Sequence, residues 1–340
     1  MKNIYGLTLD EIEAYFLSHD VKKFHALQLF SWLYDKRIKT YDEITNIKKD
    51  ILSSLKAEYP IRYLKIVDVQ RDVDVCKYLF ELEDFEHIEA VLMRHDYGNS
   101  LCVSSQVGCN MGCKFCESGR RKKVRNLETY ELVLQLLMIE DDLKERISHV
   151  VVMGIGEPFD NYDNLLKFFK IINHPKGLSI GARHITVSTC GLVPKILEFS
   201  EFPLQINLAI SLHAPNNEIR DRIMPINKAY PLEVLIPAIK KYLEKTNRSV
   251  TFEYILLKDI NDSDDCAVAL AKLVEGINCY INLIPYNETN NLDFKRTKPI
   301  QIMRFYDILK KNNVGVTIRR EFGGKISAAC GQLRSKKEGL

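Results

Sequence analysis

From about residue 100 onward, short apolar runs alternate with longer segments whose apolar positions recur every three or four residues. The runs at 100–105, 149–153, 184–188, 205–211, 250–256, 280–284 and 314–318 read as strands, and the periodic segments 127–140, 161–172, 193–199, 231–244, 263–274 and 300–311 as helices. Strand, helix, strand repeated in this way implies right-handed crossovers and a parallel sheet curling toward a barrel that stops short of eight repeats. The fold class expected is therefore α/β, a partial (β/α)6-type barrel. The first hundred residues differ. Segments 9–17, 24–34 and 41–55 show helical spacing, with Thr8 as an N-cap, and 66–69, 77–82 and 87–92 read as short antiparallel strands. The organisation expected is a small helical domain over 1–60, a β-hairpin connection over 61–98 and the barrel over 99–335.

The unusual residues fall just past the strand ends. Gly154-Ile155-Gly156-Glu157-Pro158 follows the second strand, Ser188-Thr189-Cys190-Gly191 the third, and Ser211-Leu212-His213-Ala214-Pro215 the fourth; Pro285-Tyr286-Asn287 and the segment from Gly323 to Cys330 follow later ones. In α/β barrels the carboxyl ends of the strands carry the site, because rigid strands hold loops that are free to vary there. Punctuation at one end of several strands points to one shared site.

Composition adds bounds. Of 340 residues, 46% are hydrophobic and 27% charged, which suits a globular protein with a sizeable core. No run reaches 18 uninterrupted apolar residues and the N-terminus lacks a signal-peptide core, so a cytoplasmic protein without a membrane partner is expected. The net charge of +3 says little, but its distribution says more. Lys114, Arg120, Arg121, Lys122, Lys123 and Arg125 form one basic cluster, and Arg319, Arg320, Lys325, Arg334, Lys336 and Lys337 another. Either run alone also suits a solvated face; two of them flanking reactive cysteines favour a polyanion such as RNA.

Three of the nine cysteines, Cys109, Cys113 and Cys116, form Cys-Asn-Met-Gly-Cys-Lys-Phe-Cys, with no fourth cysteine or histidine in the same loop. A structural zinc takes four ligands, and a [4Fe–4S] electron carrier one thiolate per iron. Three thiolates suit a [4Fe–4S] cluster with one open iron, where a substrate's amino and carboxylate groups can chelate. A zinc knuckle closed by a distant ligand is the alternative. The spacing, with Phe115 before the last cysteine, resembles the radical S-adenosylmethionine (SAM) enzymes, in which SAM occupies that iron and is cleaved to a 5′-deoxyadenosyl radical.

Over nearly its whole length the chain further resembles the RlmN/Cfr family of radical SAM RNA methyltransferases. The resemblance is most specific in Leu101-Cys102-Val103-Ser104-Ser105-Gln106-Val107-Gly108-Cys109, Gly156-Glu157-Pro158, Ser211-Leu212-His213-Ala214-Pro215 and Ala328-Ala329-Cys330-Gly331-Gln332-Leu333. It implies that Cys330 takes a methyl group from one SAM, and that a second SAM makes the radical that activates this methyl for addition to an adenine carbon. Cys102 would then resolve the protein–RNA link, leaving a Cys102–Cys330 disulfide, with Glu89 accepting the ring proton. The chemistry is coherent, since adenine ring carbons cannot attack the sulfonium methyl of SAM while a soft thiolate can. The resemblance also assigns Gly156, Glu157, Ser188, Ser211, Leu212, His213 and Asn287 to SAM. Gly156 would let backbone approach the ligand and Glu157 accept from its amino group. Cys76, Cys190, Cys266 and Cys279 match no family role, and buried, inert thiols are expected.

Two departures stand out. Glu117-Ser118-Gly119-Arg120-Arg121-Lys122-Lys123-Val124 replaces a small, glycine-rich segment, and Lys325-Ile326-Ser327 replaces Asp-Ile-Asp. Both make the presumed RNA face more positive. Glu157-Pro158 and the stretch from Ala209 to Arg220 look closer to the C2-methylating branch. The function expected is methylation of adenine C2 in 23S rRNA, possibly also tRNA, with a flavodoxin or ferredoxin as electron donor. A C8 methyltransferase, a paralogue with another RNA target, and a non-catalytic zinc-containing RNA-binding protein remain as alternatives.

Overall fold

The computed structural model describes residues 2–289, 291–319 and 332–333. Helices α1 (Leu9–Leu17), α2 (Phe24–Tyr34) and α3 (Lys49–Glu58) come first. Thr8 caps α1 as expected. Its hydroxyl accepts the Glu11 N–H at 3.3 Å while the Glu11 carboxylate accepts the Thr8 N–H at 2.9 Å, so two orphan donors are satisfied reciprocally. The third periodic segment is not one helix. Tyr41–Glu43 forms a 3-10 turn, Ile44 turns extended, and Asn46 accepts the Trp32 indole N–H at 2.7 Å, which holds a loop open until α3 begins at Lys49.

Strands β1 (Lys65–Arg71), β2 (Val75–Glu81), β3 (His87–His95) and β4 (Gly98–Cys102) form an antiparallel meander. A ribbon of β5 (Gln106–Val107) and β6 (Arg125–Asn126) leads into α4 (Thr129–Leu143). Then β7 (Ile147–Val152), α5 (Tyr162–Asn173), β8 (Ile185–Thr189), α6 (Val193–Phe199), β9 (Asn207–Ser211), α7 (Asn217–Ile223), α8 (Leu232–Thr246), β10 (Val250–Leu256), α9 (Asp264–Leu273), β11 (Cys279–Pro285), α10 (Pro299–Lys311) and β12 (Val316–Ile318) alternate. Among the described residues these strands form one ten-stranded sheet in the order β1-β2-β3-β4-β7-β8-β9-β10-β11-β12, parallel from β4 onward.

The partial α/β barrel and the helical N-terminal region are thus as expected, and α7 is an addition. The three short antiparallel strands expected over 66–92 are present as β1, β2 and β3, and they join the barrel's edge through the β3–β4 pairing. One apolar core runs from Ile4 to Val316 across helices and barrel. Helix α4 shows why: Leu132, Val133, Leu134 and Leu136 are all fully buried, so opposite faces of one helix are covered. The barrel covers one face, and the N-terminal segment the other, where Arg37 donates to Leu137 O and Asp141 at 3.2 Å each.

Candidate active site

Past Cys102 the chain folds into a ribbon whose tip carries the three clustered cysteines. Cys109 N–H donates to Arg121 O at 2.9 Å and Val124 N–H to Val107 O at 2.8 Å, so the basic run is the returning arm. Gly108, at φ +73°, lies so close to the Lys122 carbonyl that a Cβ would collide with it. At the tip, Cys116 N–H reaches Cys113 O at 3.2 Å, and Lys114 N–H docks the loop on Ile223 O, at the end of α7, at 2.9 Å. The three thiols line one cavity at the carboxyl end of the barrel, with Glu157, Ser188, Ser211 and His213 opposite.

Burial pushes the Cys109 thiol up to about 12 and raises Cys113 as well, so a cation is needed to hold them as thiolates. Among the described residues no three His, Cys, Asp or Glu side chains close around a single metal ion; the thiols are spread around a cavity. The hydroxyls of Tyr286 and Thr289 are buried without a well-formed hydrogen bond, and Tyr286 belongs to the same apolar cluster as Cys113 and Cys116. Three thiols around one cavity, with the buried Tyr286 hydroxyl in the adjoining apolar cluster, fit a thiolate-held cluster, whose sulfurs accept hydrogen bonds.

The opposite wall is locked by internal bonds. Glu157 is buried, and its carboxylate accepts the N–H groups of Phe159 at 3.0 Å and Cys190 at 2.9 Å. Burial raises its pKa, and these hydrogen bonds oppose the rise. The Thr189 and Cys190 side chains also hydrogen-bond to the carboxylate. Gly156, at φ +107°, is required by packing, because a Cβ would meet Gln106 Cβ at 2.6 Å. Ser188 and Ser211 share a 3.3 Å hydroxyl contact at the ends of β8 and β9. His213 is buried at φ +58°, accepts the Ile255 N–H on Nδ1 at 3.0 Å, and packs edge-on to Phe115 at 4.9 Å. Burial, aided by Arg220, drives its pKa down to about 3, so the ring is neutral and protonated on Nε2 at physiological pH.

Two expected SAM contacts are placed elsewhere. Leu212 turns its side chain into the main core, and its backbone already bonds Glu253 O and Arg220. Asn287 is half-buried after β11 and does not line the cavity.

On the flank of the cavity, Cys102 ends β4 among Val75, Val91, Met93, Ile155 and Leu333. Glu89 is buried on β3, its carboxylate 3.3 Å from the Lys77 ammonium. Cys330 lies outside the described residues. Leu333, three positions on, sits in the Cys102 cluster, and its carbonyl accepts the Ser118 hydroxyl at 3.0 Å.

Two family models match the chain: the radical SAM superfamily over residues 103–270, and the ribosomal RNA large subunit methyltransferase N-terminal domain over 2–61. A protein of Spiroplasma citri is 54% identical, the match covering all of this chain and 99% of that one; an Enterococcus faecalis protein is 53% identical, over 99% and 97%. Both bear the name probable dual-specificity RNA methyltransferase RlmN. The chain belongs to the RlmN family. A radical SAM methyltransferase from Sphaerobacter thermophilus, known from its crystal structure, is 39% identical, with a TM-score of 0.92 over 99% of this chain and 100% of that one. Streptococcus suis SuiB bound to S-adenosylmethionine, at 14% identity and TM-score 0.51 over 68% of this chain and 55% of that one, shares the fold alone. RlmN membership makes this chain a radical SAM methyltransferase, with a [4Fe–4S] cluster and SAM as cofactors.

The structure also revises the charge map of this RlmN-family chain. Arg121 pairs with Glu86 at 2.7 Å, Lys123 with Asp160 at 2.6 Å, and Arg125 with Asp84 and Glu131 at 2.6 and 2.8 Å. Much of the expected phosphate-binding run is therefore internal scaffolding. Lys114 and Lys122 are exposed with no carboxylate partner among the described residues, and Arg120 is exposed with one contact, to Glu117 at 3.3 Å. Arg319, counted in the second basic run, lines the cavity near Glu253. Cys190 is buried as expected but lines the cavity too. Sequence reasoning missed Arg220 and Glu253. Arg220 is fully buried and donates to Leu212 O at 3.1 Å, Asn227 Oδ1 at 2.8 Å and Cys190 O at 2.8 Å, tying together the loops after β8 and β9. Its one sequence signal is an arginine between Ile219 and Ile223 in an apolar period.

Proposed function

We propose that this protein methylates a ring carbon of adenine in RNA, with C2 of an adenosine in 23S rRNA as the first target and tRNA as a second, through a methyl-cysteine on Cys330. RNA methylation is supported by the names of full-length relatives above 50% identity. The methyl-cysteine route rests on one observation above all: Cys102, on the strand beside that of Glu89, shares a buried apolar cluster with Leu333, three residues beyond Cys330.

Cys109, Cys113 and Cys116 would hold the [4Fe–4S] cluster, which supplies one-electron cleavage of bound SAM. Glu157, Ser188, Ser211 and His213 line the cavity that would take SAM, with the neutral His213 ring adding no charge. Cys330, as thiolate, takes the methyl group of one SAM, and a second SAM is consumed in activating it. Once its carbon is joined to the base and the adduct has given back the one electron that SAM cleavage would take up, Glu89 accepts the ring proton. The Cys102 thiolate then attacks the Cys330 sulfur. The S–C bond breaks, its pair goes to the carbon, and that carbon takes a proton to become the methyl group while the disulfide forms. Such thiol chemistry suits a reducing compartment, the cytoplasm, where a flavodoxin or ferredoxin would supply electrons. No helix among the described residues is long and apolar enough to cross a membrane.

Denaturing gels of Cys102→Ala protein from cells test the reading. The expected result is a shifted band that ribonuclease removes, absent from Cys330→Ala, because the thioether forms but is not broken. Full activity of Cys102→Ala with no such band would refute the methyl-cysteine route. Mass spectrometry of rRNA and tRNA nucleosides decides the position, and an 8-methyl product would move the protein to the other branch.

A further inference from the structure

The antiparallel registers around Glu89 bring a residue to it that the reaction above leaves out. Val91 on β3 lies opposite Lys77 on β2 and opposite Cys102 on β4. Residues two apart on a strand share a face, so Lys77, Glu89 and Cys102 surround Val91 on one face of the sheet. The Lys77 ammonium stands 3.3 Å from the Glu89 carboxylate, both side chains at most 7% exposed. The Ser104 hydroxyl fixes the backbone here, donating to Glu89 O at 2.6 Å and accepting the Ile155 N–H at 2.9 Å. The other titratable groups on this face of β1 to β4 are Glu81 on β2, His87 and His95 on β3, Cys102 on β4, and Lys65 and the exposed Asp68 on β1; Glu81 pairs with Lys65 at 2.9 Å and lies 3.6 Å from His87. Strand β7 adds the apolar Val151 and Met153, and Glu86, before β3, is held by Arg121.

We propose that Lys77 is a positioning residue for proton removal: its ammonium keeps the buried Glu89 carboxylate ionised and fixed on the sheet face that carries Cys102. The proposal rests on the reading of Glu89 as proton acceptor. A carboxyl group buried beside apolar residues takes its neutral form unless an opposite charge lies within a few ångströms, and a neutral acid cannot accept a proton. With Lys77 in place the transfer balances. The adduct first gives up its unpaired electron, to the cluster that Cys109, Cys113 and Cys116 would hold; the C–H bond of the base then breaks, its pair restores the aromatic ring, and an O–H bond forms on Glu89. The neutral acid then leaves the ammonium without its counter-charge, which favours passing the proton on and restoring the carboxylate.

The test uses cluster-loaded full-length enzyme and protein-free 23S rRNA between pH 6 and 9, with methylated adenosine expressed per 5′-deoxyadenosine formed. Lys77→Met is expected to lose at least tenfold at pH 7 and to recover as pH rises, its acid limb displaced upward by one pH unit or more. Lys77→Arg keeps the wild-type limb. Lys77→Gln carries the same upward displacement should the methionine variant not fold, and Glu89→Gln is slow at every pH. A wild-type limb in the neutral Lys77 variants, or a loss that is flat across pH and not restored by arginine, overturns the role of Lys77 while leaving a slow Glu89→Gln, and so the reading of Glu89, intact. A fully active Glu89→Gln overturns that reading and this proposal with it.

Discussion

The wall after β7, β8 and β9 and the flank built by β2, β3 and β4 meet at Met153, which lines the cavity and packs against the Cys102 cluster, and they are made of opposite materials. On the wall, Glu157 is bonded to backbone N–H groups, Arg220 holds carbonyls of two loops, and Asn261 joins the Leu257 N–H to the His213 and Ile255 carbonyls at 2.7 Å each. On the flank, Cys102 sits among valines, a methionine, an isoleucine and a leucine, with Lys77 and Glu89 as an inserted charge pair. A saturated polar wall holds a ligand in one pose at little ordering cost. A dry flank suits a thiol and a thioether that must meet each other rather than water. On the proposed mechanism, binding and bond-making fall on different sides, separated by solvation.

The largest effect expected from breaking the wall is that of Arg220→Met. Methionine fills the space but leaves the buried Leu212 and Cys190 carbonyls without that donor, at about 1–3 kcal/mol each. Urea unfolding should show a loss of about 3 kcal/mol or more, with SAM affinity falling in parallel. A loss under about 1 kcal/mol would mean that the loops hold themselves.

His213 gives the next effect, through pH. Its folded pKa of about 3 lies below the unfolded value near 6.5, so between these limits the unfolded chain binds a proton that the folded chain does not. Its contribution to stability is fully present above 6.5 and is lost as pH falls through that window, by about 2 kcal/mol from pH 6.5 to 5. The buried carboxyls Glu157 and Glu253, raised by burial, run the other way, their contribution being lost as pH rises. The difference between wild type and His213→Gln in urea midpoints at pH 6.5 and 5 isolates the histidine; equal shifts in the two proteins would contradict its burial as a neutral ring.

The smallest effect concerns the rim. Lys114→Gln and Lys122→Gln should each lower the salt slope of RNA binding by about 0.7–0.9, whereas Arg121→Gln and Lys123→Gln, whose charges are already paired, should change it less. Equal changes from all four would return the whole run to the phosphate face.

The amino-acid sequence by itself determined the barrel, because hydrophobic period is a local property and each β/α unit repeats it: the expected 193–199 and 250–256 coincide with α6 and β10. It determined the cysteine loop for the same reason, since Cys109, Cys113 and Cys116 are close along the chain and their grouping needs no distant partner. The tertiary structure alone decided what depends on pairing between distant segments. Asn46 meets Trp32 and so divides a helix that periodicity read as continuous. Arg121, Lys123 and Arg125 find carboxylates 6 to 41 residues away and cease to be a free basic surface. Lys77, Glu89 and Cys102 come to surround Val91 because β2, β3 and β4 pair in one register, and a slip of one residue would turn them to the opposite face. Composition and spacing carry local propensity, but a strand's register is set by the whole sheet and core against which it packs.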